Sequence, residues 1–214
     1  ASGAVYMDIL HWTGAGADAL ASNPANWYGN AAPSSGVRLV FGSSATVKAC
    51  IWNLGVIPSS VTILPQFSTA VVLSSSLTVA GAFDMAGGTL SAGGGLVLRV
   101  DGALLQTGGR MNLSVSTIAL AGAGGSAAVQ FFDASALRLV IGGVSAATAT
   151  LSGHVTVSSR IHVSSGAQFV LSTGTLRLTG DGPFTGTGGV SASTGHWTEA
   201  AGASTQTWTK FSGY

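Results

Sequence analysis

Leu77-Thr78-Val79-Ala80-Gly81-Ala82, followed by Gly87-Gly88-Thr89-Leu90, is answered twenty-one residues later by Leu98-Arg99-Val100-Asp101-Gly102-Ala103 and Gly108-Gly109-Arg110-Met111. Apolar residues alternate within each phrase, and small residues break the phrases apart. A period of this length built from short alternating runs is the mark of a stacked repeat. Each coil would bury its apolar face only against the coils beside it. The echo continues at the same offset from Ile118, Leu120 and Gly122 to Leu139, Ile141 and Gly143. Gly166-Ala167, followed by Phe169, repeats the Gly102-Ala103 phrase with a one-residue slip.

Strand-forming segments fill the chain on both sides of this repeat. Val37 to Phe41, Val61 to Leu64 and Ala70 to Leu73 precede it; Leu137 to Ile141, Val155 to Val157, Ile161 to Val163, Gln168 to Leu171 and Leu176 to Leu178 follow. No window carries sustained three-four apolar spacing between caps. Gly16 to Asn23 is the single helical candidate and reads better as a loop or one turn. A sandwich would show longer strands joined by tight hairpins. Asn-Gly never occurs, and Asp101-Gly102 and Asp181-Gly182 are the only Asp-Gly pairs. Leucine-rich repeats share the period but would need an Asn ladder and a helical arm. The predicted fold is all-β, a parallel β-helix (β-solenoid) with about 21 residues per coil and irregular, aromatic-rich ends. Some six or seven coils would stack into a core roughly 30 Å long. The predicted organisation is an N-terminal capping segment over 1–36, a solenoid core over 37–190, and a C-terminal aromatic segment over 191–214.

Charged residues make up 7% of the 214, with eight Lys and Arg against seven Asp and Glu and a net charge of +1. So little charge leaves little repulsion between copies, and favours self-association. The basic residues are scattered singly, so phosphate neutralisation and nucleic-acid binding are not expected. Although 46% of the residues are hydrophobic, polar residues and prolines interrupt every long apolar run. No membrane-spanning helix is expected, since that needs about twenty apolar residues in a row. Cys50 is alone, which rules out an internal disulfide. A start at Ala1 fits a mature secreted form after leader removal.

The N-terminal run His11-Trp12-Thr13-Gly14-Ala15-Gly16, then Asn23-Pro24-Ala25-Asn26-Trp27, then Pro33-Ser34-Ser35-Gly36-Val37, is similar to a known pattern. It resembles the Trp-Gly-Gly, Asn-Trp, Pro-x-x-Gly-Asp segment ahead of β-helical regions in large secreted bacterial surface proteins, the autotransporter passengers and filamentous adhesins. Gly87-Gly88-Thr89-Leu90 resembles the corner-and-strand phrase of their repeats. Arg38 departs from the pattern, standing where an acidic residue often follows the glycine. The resemblance implies secretion, surface display, adhesion or fibre formation, and no defined chemistry.

No catalytic constellation is expected. Asp84, Asp101, Asp133 and Asp181 are the core acids. Asp84 and Asp101 fall four positions apart on the repeat register and do not converge. Asp101 reads as a turn residue, and Asp84 as the surface partner of Arg99 or Arg110 on an adjacent coil. His154 and His162 are eight apart, which puts them on different strands of one coil, and no third ligand joins them. Neither a nucleophile elbow nor a phosphate loop is present; Gly93-Gly94-Gly95 simply precedes a strand. Thr148-Ala149-Thr150, Thr173-Gly174-Thr175, Thr185-Gly186-Thr187 and Thr205-Gln206-Thr207 share no register and build no threonine ladder. No enzyme activity, cofactor or metal is therefore expected.

The aromatic ends remain. Trp12, Trp27, Tyr28, Trp197, Trp208, Phe211 and Tyr214 are candidates either to plug the two ends against stray edge pairing or to anchor one subunit on the next. A head-to-tail contact that does not close makes a filament. The expected function is a structural subunit of an extracellular bacterial filament or surface assembly, with itself as partner. The alternative is a carbohydrate-binding or adhesin module that takes surface glycans on exposed aromatics, and behind it a polysaccharide-active enzyme.

Overall fold

The computed structural model describes residues 8–42, 48–121, 126–142, 148–179, 184–186, 189–192 and 196–199. The strands are β1 (Ile9–Trp12), β2 (Arg38–Phe41), β3 (Cys50–Trp52), β4 (Ser60–Ile63), β5 (Ala70–Leu73), β6 (Leu77–Val79), β7 (Phe83–Met85), β8 (Thr89–Ala92) and β9 (Val97–Val100). They continue as β10 (Leu104–Gln106), β11 (Arg110–Leu120), β12 (Ser126–Ile141), β13 (Thr148–Val163), β14 (Gln168–Leu178), β15 (Phe184–Gly186), β16 (Gly189–Ala192) and β17 (His196–Glu199). Every pairing between them is parallel, and the chain winds a β-solenoid of about six turns with coils of about 21 residues.

The coil has three faces, each held by inward-pointing residues stacked in register. On the first, Leu39, Val61, Phe83, Leu104, Val129 and Leu151 follow one another up the rod. The second begins with Cys50 and runs through Val71, Leu90, Met111, Ala134, Val155 and Leu176. The third stacks Leu77, Leu98, Ile118, Leu139 and Ile161. All are buried, and each large member contributes about 1.5–3 kcal/mol by leaving water. Cys50 therefore has a packing role, as a small apolar residue at the foot of a column.

The glycine phrases are corners where successive coils touch backbone to backbone. A Cβ on Gly102 would sit 2.7 Å from the Gly81 carbonyl carbon, and one on Gly109 would run into the Gly87 carbonyl oxygen. Gly109 also has φ +68°, a backbone state that side chains disfavour. Three short strands per coil occur in β4–β6 and β7–β9. β11 to β14 run on around the corners, reaching 16 residues in β12 and β13. In β11 and β12 the corner residues Leu113 to Thr117 and Phe131 to Ala134 contain no glycine and bulges turn the chain, whereas β13 turns at Gly153, φ +84°, against the Phe131 backbone.

β1 lies within 1–36 and pairs with β2 in register from Ile9–Arg38 to Trp12–Phe41. β17 lies beyond 190 and pairs with β14. Gly16 to Asn23 is a loop, and the one helical turn among the described residues is the 3-10 turn Pro24–Asn26, capped by the Asn23 side chain on the Ala25 N–H. Among those residues no helix is long and apolar enough to cross a membrane.

Candidate functional site

The two ends of the column are built differently. At the N-terminal end residues 13–28 fold back over the outer edges of β1 and β3. The His11 carbonyl accepts from the Tyr28 N–H at 2.9 Å, and the Asn26 carbonyl takes the Thr13 and Gly14 N–H groups. Residues 19–21 close the outer edge of β3: Ile51 N–H donates to the Ala19 carbonyl at 2.7 Å, and Ala21 N–H to the Ile51 carbonyl at 2.9 Å.

A buried asparagine holds this seal together. Asn26 is fully buried. Its Oδ1 accepts the Gly16 N–H at 2.8 Å, and its Nδ2 donates to Asp18 Oδ1 and the Leu20 carbonyl, both at 3.0 Å. Gly16 carries no Cβ because the Asn26 amide occupies that space, 2.7 Å away. Asp18 Oδ1 also accepts from the Leu20 N–H and the Asn23 side chain. The Leu20 N–H first and the Asn23 amide next hold its carboxyl below the ordinary 3.8. Lys48 Nζ donates to the Gly16 carbonyl at 2.6 Å.

Trp12 and Trp27 lie under this network. Their rings meet edge to face at 5.1 Å, Phe41 and Phe67 continue the cluster, and exposure is 3% for Trp12 and 1% for Trp27. Both indole N–H groups are satisfied, on the Lys48 and Ala21 carbonyls. Both tryptophans are buried within the chain, and neither presents its ring at the surface. Tyr28 differs. It is 65% exposed on the sealing layer, whereas Ile9 of β1, also exposed, faces outward from the side of the first coil in register with Arg38.

At the other end β15, β16 and β17 rest on β13 and β14, and among the described residues no strand pairs with their outer edges. Trp197 is in β17, opposite Leu176. Trp208, Phe211 and Tyr214 lie outside the described residues.

No family model, curated protein or solved structure matches this chain.

The core acids and histidines fall where the sequence reading only partly placed them. Arg99 pairs with Asp101 two residues away at 2.7 Å, and Arg110 with Asp133 on the next coil at 3.6 Å, so neither takes Asp84. Asp101 faces a guanidinium rather than turn amides. His154 and His162 belong to one strand, β13, which bends so that they face different ways: His154 lies beside Thr175 on the second face and His162 beside Val140 on the third. Thr148 and Thr150 stand opposite Gln168 and Val170, so these threonines form no ladder there. Asp181 lies outside the described residues. Cys50 is buried, and burial pushes its thiol well above the ordinary range.

One convergence went unread in the sequence. Asp133, His154, Thr156, Thr175 and Arg177 line an open depression of about 190 Å³ on the second face. Asp133, His154 and Thr175 are spaced by the coil length itself, as is His196 after them. The offset that aligns Leu77 with Leu98 would have found them had it been applied to outward positions.

Proposed function

We propose that this chain is a structural subunit of an extracellular bacterial filament or surface assembly, joined end to end through its terminal coils. The difference between the two ends carries this reading. One end is covered by residues 13–28 but displays Tyr28; the other leaves the edges of β15–β17 unpaired among the described residues. An unpaired parallel edge is a template for another strand, and two unlike ends make a head-to-tail contact. Low charge supports the same reading, since 7% charged residues give copies little reason to stay apart. With Trp12 and Trp27 buried, the contact falls to Tyr28 on one side and to the backbone edges of β15–β17 on the other. The similarity of the N-terminal segment to those of secreted surface proteins supports placement outside the cell.

Sedimentation velocity over a wide concentration range tests the proposal. The expected result is concentration-dependent growth beyond a dimer, weakened at least about tenfold in midpoint by Tyr28→Glu, which sets a charge on the contact. A monomer at every concentration overturns it. A carbohydrate-binding module is the second reading, favoured by the polar depression on the second face.

A further inference from the structure

The outward positions of the second face form two polar columns along the rod. One stacks Arg110, Asp133, His154 and Thr175; the other stacks Asn112, Ser135, Thr156 and Arg177. The backbone register carries them one coil further, to His196 and Thr198. Adjacent coils sit about 4.8 Å apart, so donors and acceptors recur along a straight line at that spacing. The depression lies where the columns run side by side, between Asp133 and Arg177.

Two features set this stretch apart from an ordinary solvated face. The first is Phe132, 59% exposed, immediately beside Asp133 on the corner. A buried glutamine holds that corner out. Gln106 is fully buried, and its Oε1 accepts the Phe132 N–H at 3.3 Å while its Nε2 donates to the Asp133 carbonyl at 2.9 Å and the Gly109 carbonyl at 3.2 Å. An amide in the core is tolerated only when satisfied, and this one spends its bonds turning an aromatic ring to solvent. The second feature is charge. Arg110 takes the Asp133 carboxylate, whereas no carboxylate pairs with Arg177 among the described residues. The depression thus has one free guanidinium, flanked by hydroxyls and an imidazole.

We infer that this groove binds an acidic polysaccharide strand laid along the rod, with a sugar carboxylate on Arg177 and the apolar face of a ring against Phe132. Guanidinium and carboxylate match as a two-pronged pair. Thr156, Thr175 and His154 supply hydrogen bonds of the kind that sugar hydroxyls exchange with water. An extended polymer uses the repetition along the axis, which a compact ligand would waste. Nucleic acid would need many more cations than this face offers. The inference concerns the side of the rod and stands independently of the end-to-end contact.

Calorimetric titration of the full chain with short oligogalacturonates, and with the same oligomers after reduction of their carboxylates to alcohols, tests it. The expected result is saturable binding, weakened at least about tenfold by carboxyl reduction and by Arg177→Gln, the loss of one charged pair. Phe132→Ala, an exposed position, should weaken it several-fold. Arg160→Gln removes the same charge from the third face and should leave binding unchanged. Circular dichroism checks that each variant keeps its β signal. Absence of saturable binding, indifference to carboxyl reduction, or an equal loss in Arg160→Gln overturns the inference. Self-association of Arg177→Gln should match that of the unaltered chain, so either proposal can fail without the other.

Discussion

Asn26 decides whether the first coil is closed. Replacing it with Ala strands the Gly16 N–H and the Leu20 carbonyl inside the seal, and unpaired buried groups cost about 1–3 kcal/mol. Asn26→Ala should lower the urea midpoint by that amount and shift Trp12 and Trp27 fluorescence to the red at lower urea. The seal also has a pH limit. The Asp18 carboxyl is held below its ordinary 3.8, so its contribution is complete above that pH and is lost as pH falls through the lowered value. Cys50 behaves in the opposite sense: burial raises its thiol above the ordinary 9.0. Its contribution is intact below pH 9.0 and is lost as pH rises beyond it, when the unfolded chain ionises first. A thiol reagent at neutral pH should leave Cys50 untouched in the native protein and label it fully in denaturant; rapid native labelling would contradict its place at the foot of the second column.

At the scale of the coil, glycine and bulge corners do the same work by different means. Gly102→Ala should destabilise by about 1–3 kcal/mol, because the added methyl meets the rigid Gly81 backbone of the coil below. Gly94→Ala, where nothing lies within 4 Å, should stay within about 0.5 kcal/mol. Equal effects in the two thermal melts would mean that the corners do not stack. These corners were legible because they repeat as residue types, and Leu77–Leu98, Leu90–Met111 and Ile118–Leu139 pair at the offsets read from the chain. Merged strands such as β12 were not legible, since a bulge leaves no residue signature comparable to Gly-Gly. The plug was half legible. The aromatics announced an irregular end, but burial of Trp12 and Trp27 with exposure of Tyr28 depends on which way the loop folds over β1. The convergence of Asp133, His154, Thr175 and Arg177 escaped notice because each is ordinary alone, and only coil-to-coil register gathers them.

For the whole molecule the account makes an electrostatic forecast as well as a geometric one. Association driven by strand edges and apolar side chains in a chain of net charge +1 should vary little between low and high salt; a steep salt dependence would point to charged contacts instead. The geometric forecast is sharper. If copies join end to end, the column of coils continues through the joint, and the strand spacing runs along the fibre. Electron microscopy and fibre diffraction of concentrated protein read this directly. The account predicts unbranched fibres one solenoid wide, with a reflection near 4.8 Å along the fibre axis. Dispersed monomers at every concentration, or fibres with that reflection across the axis, would contradict it.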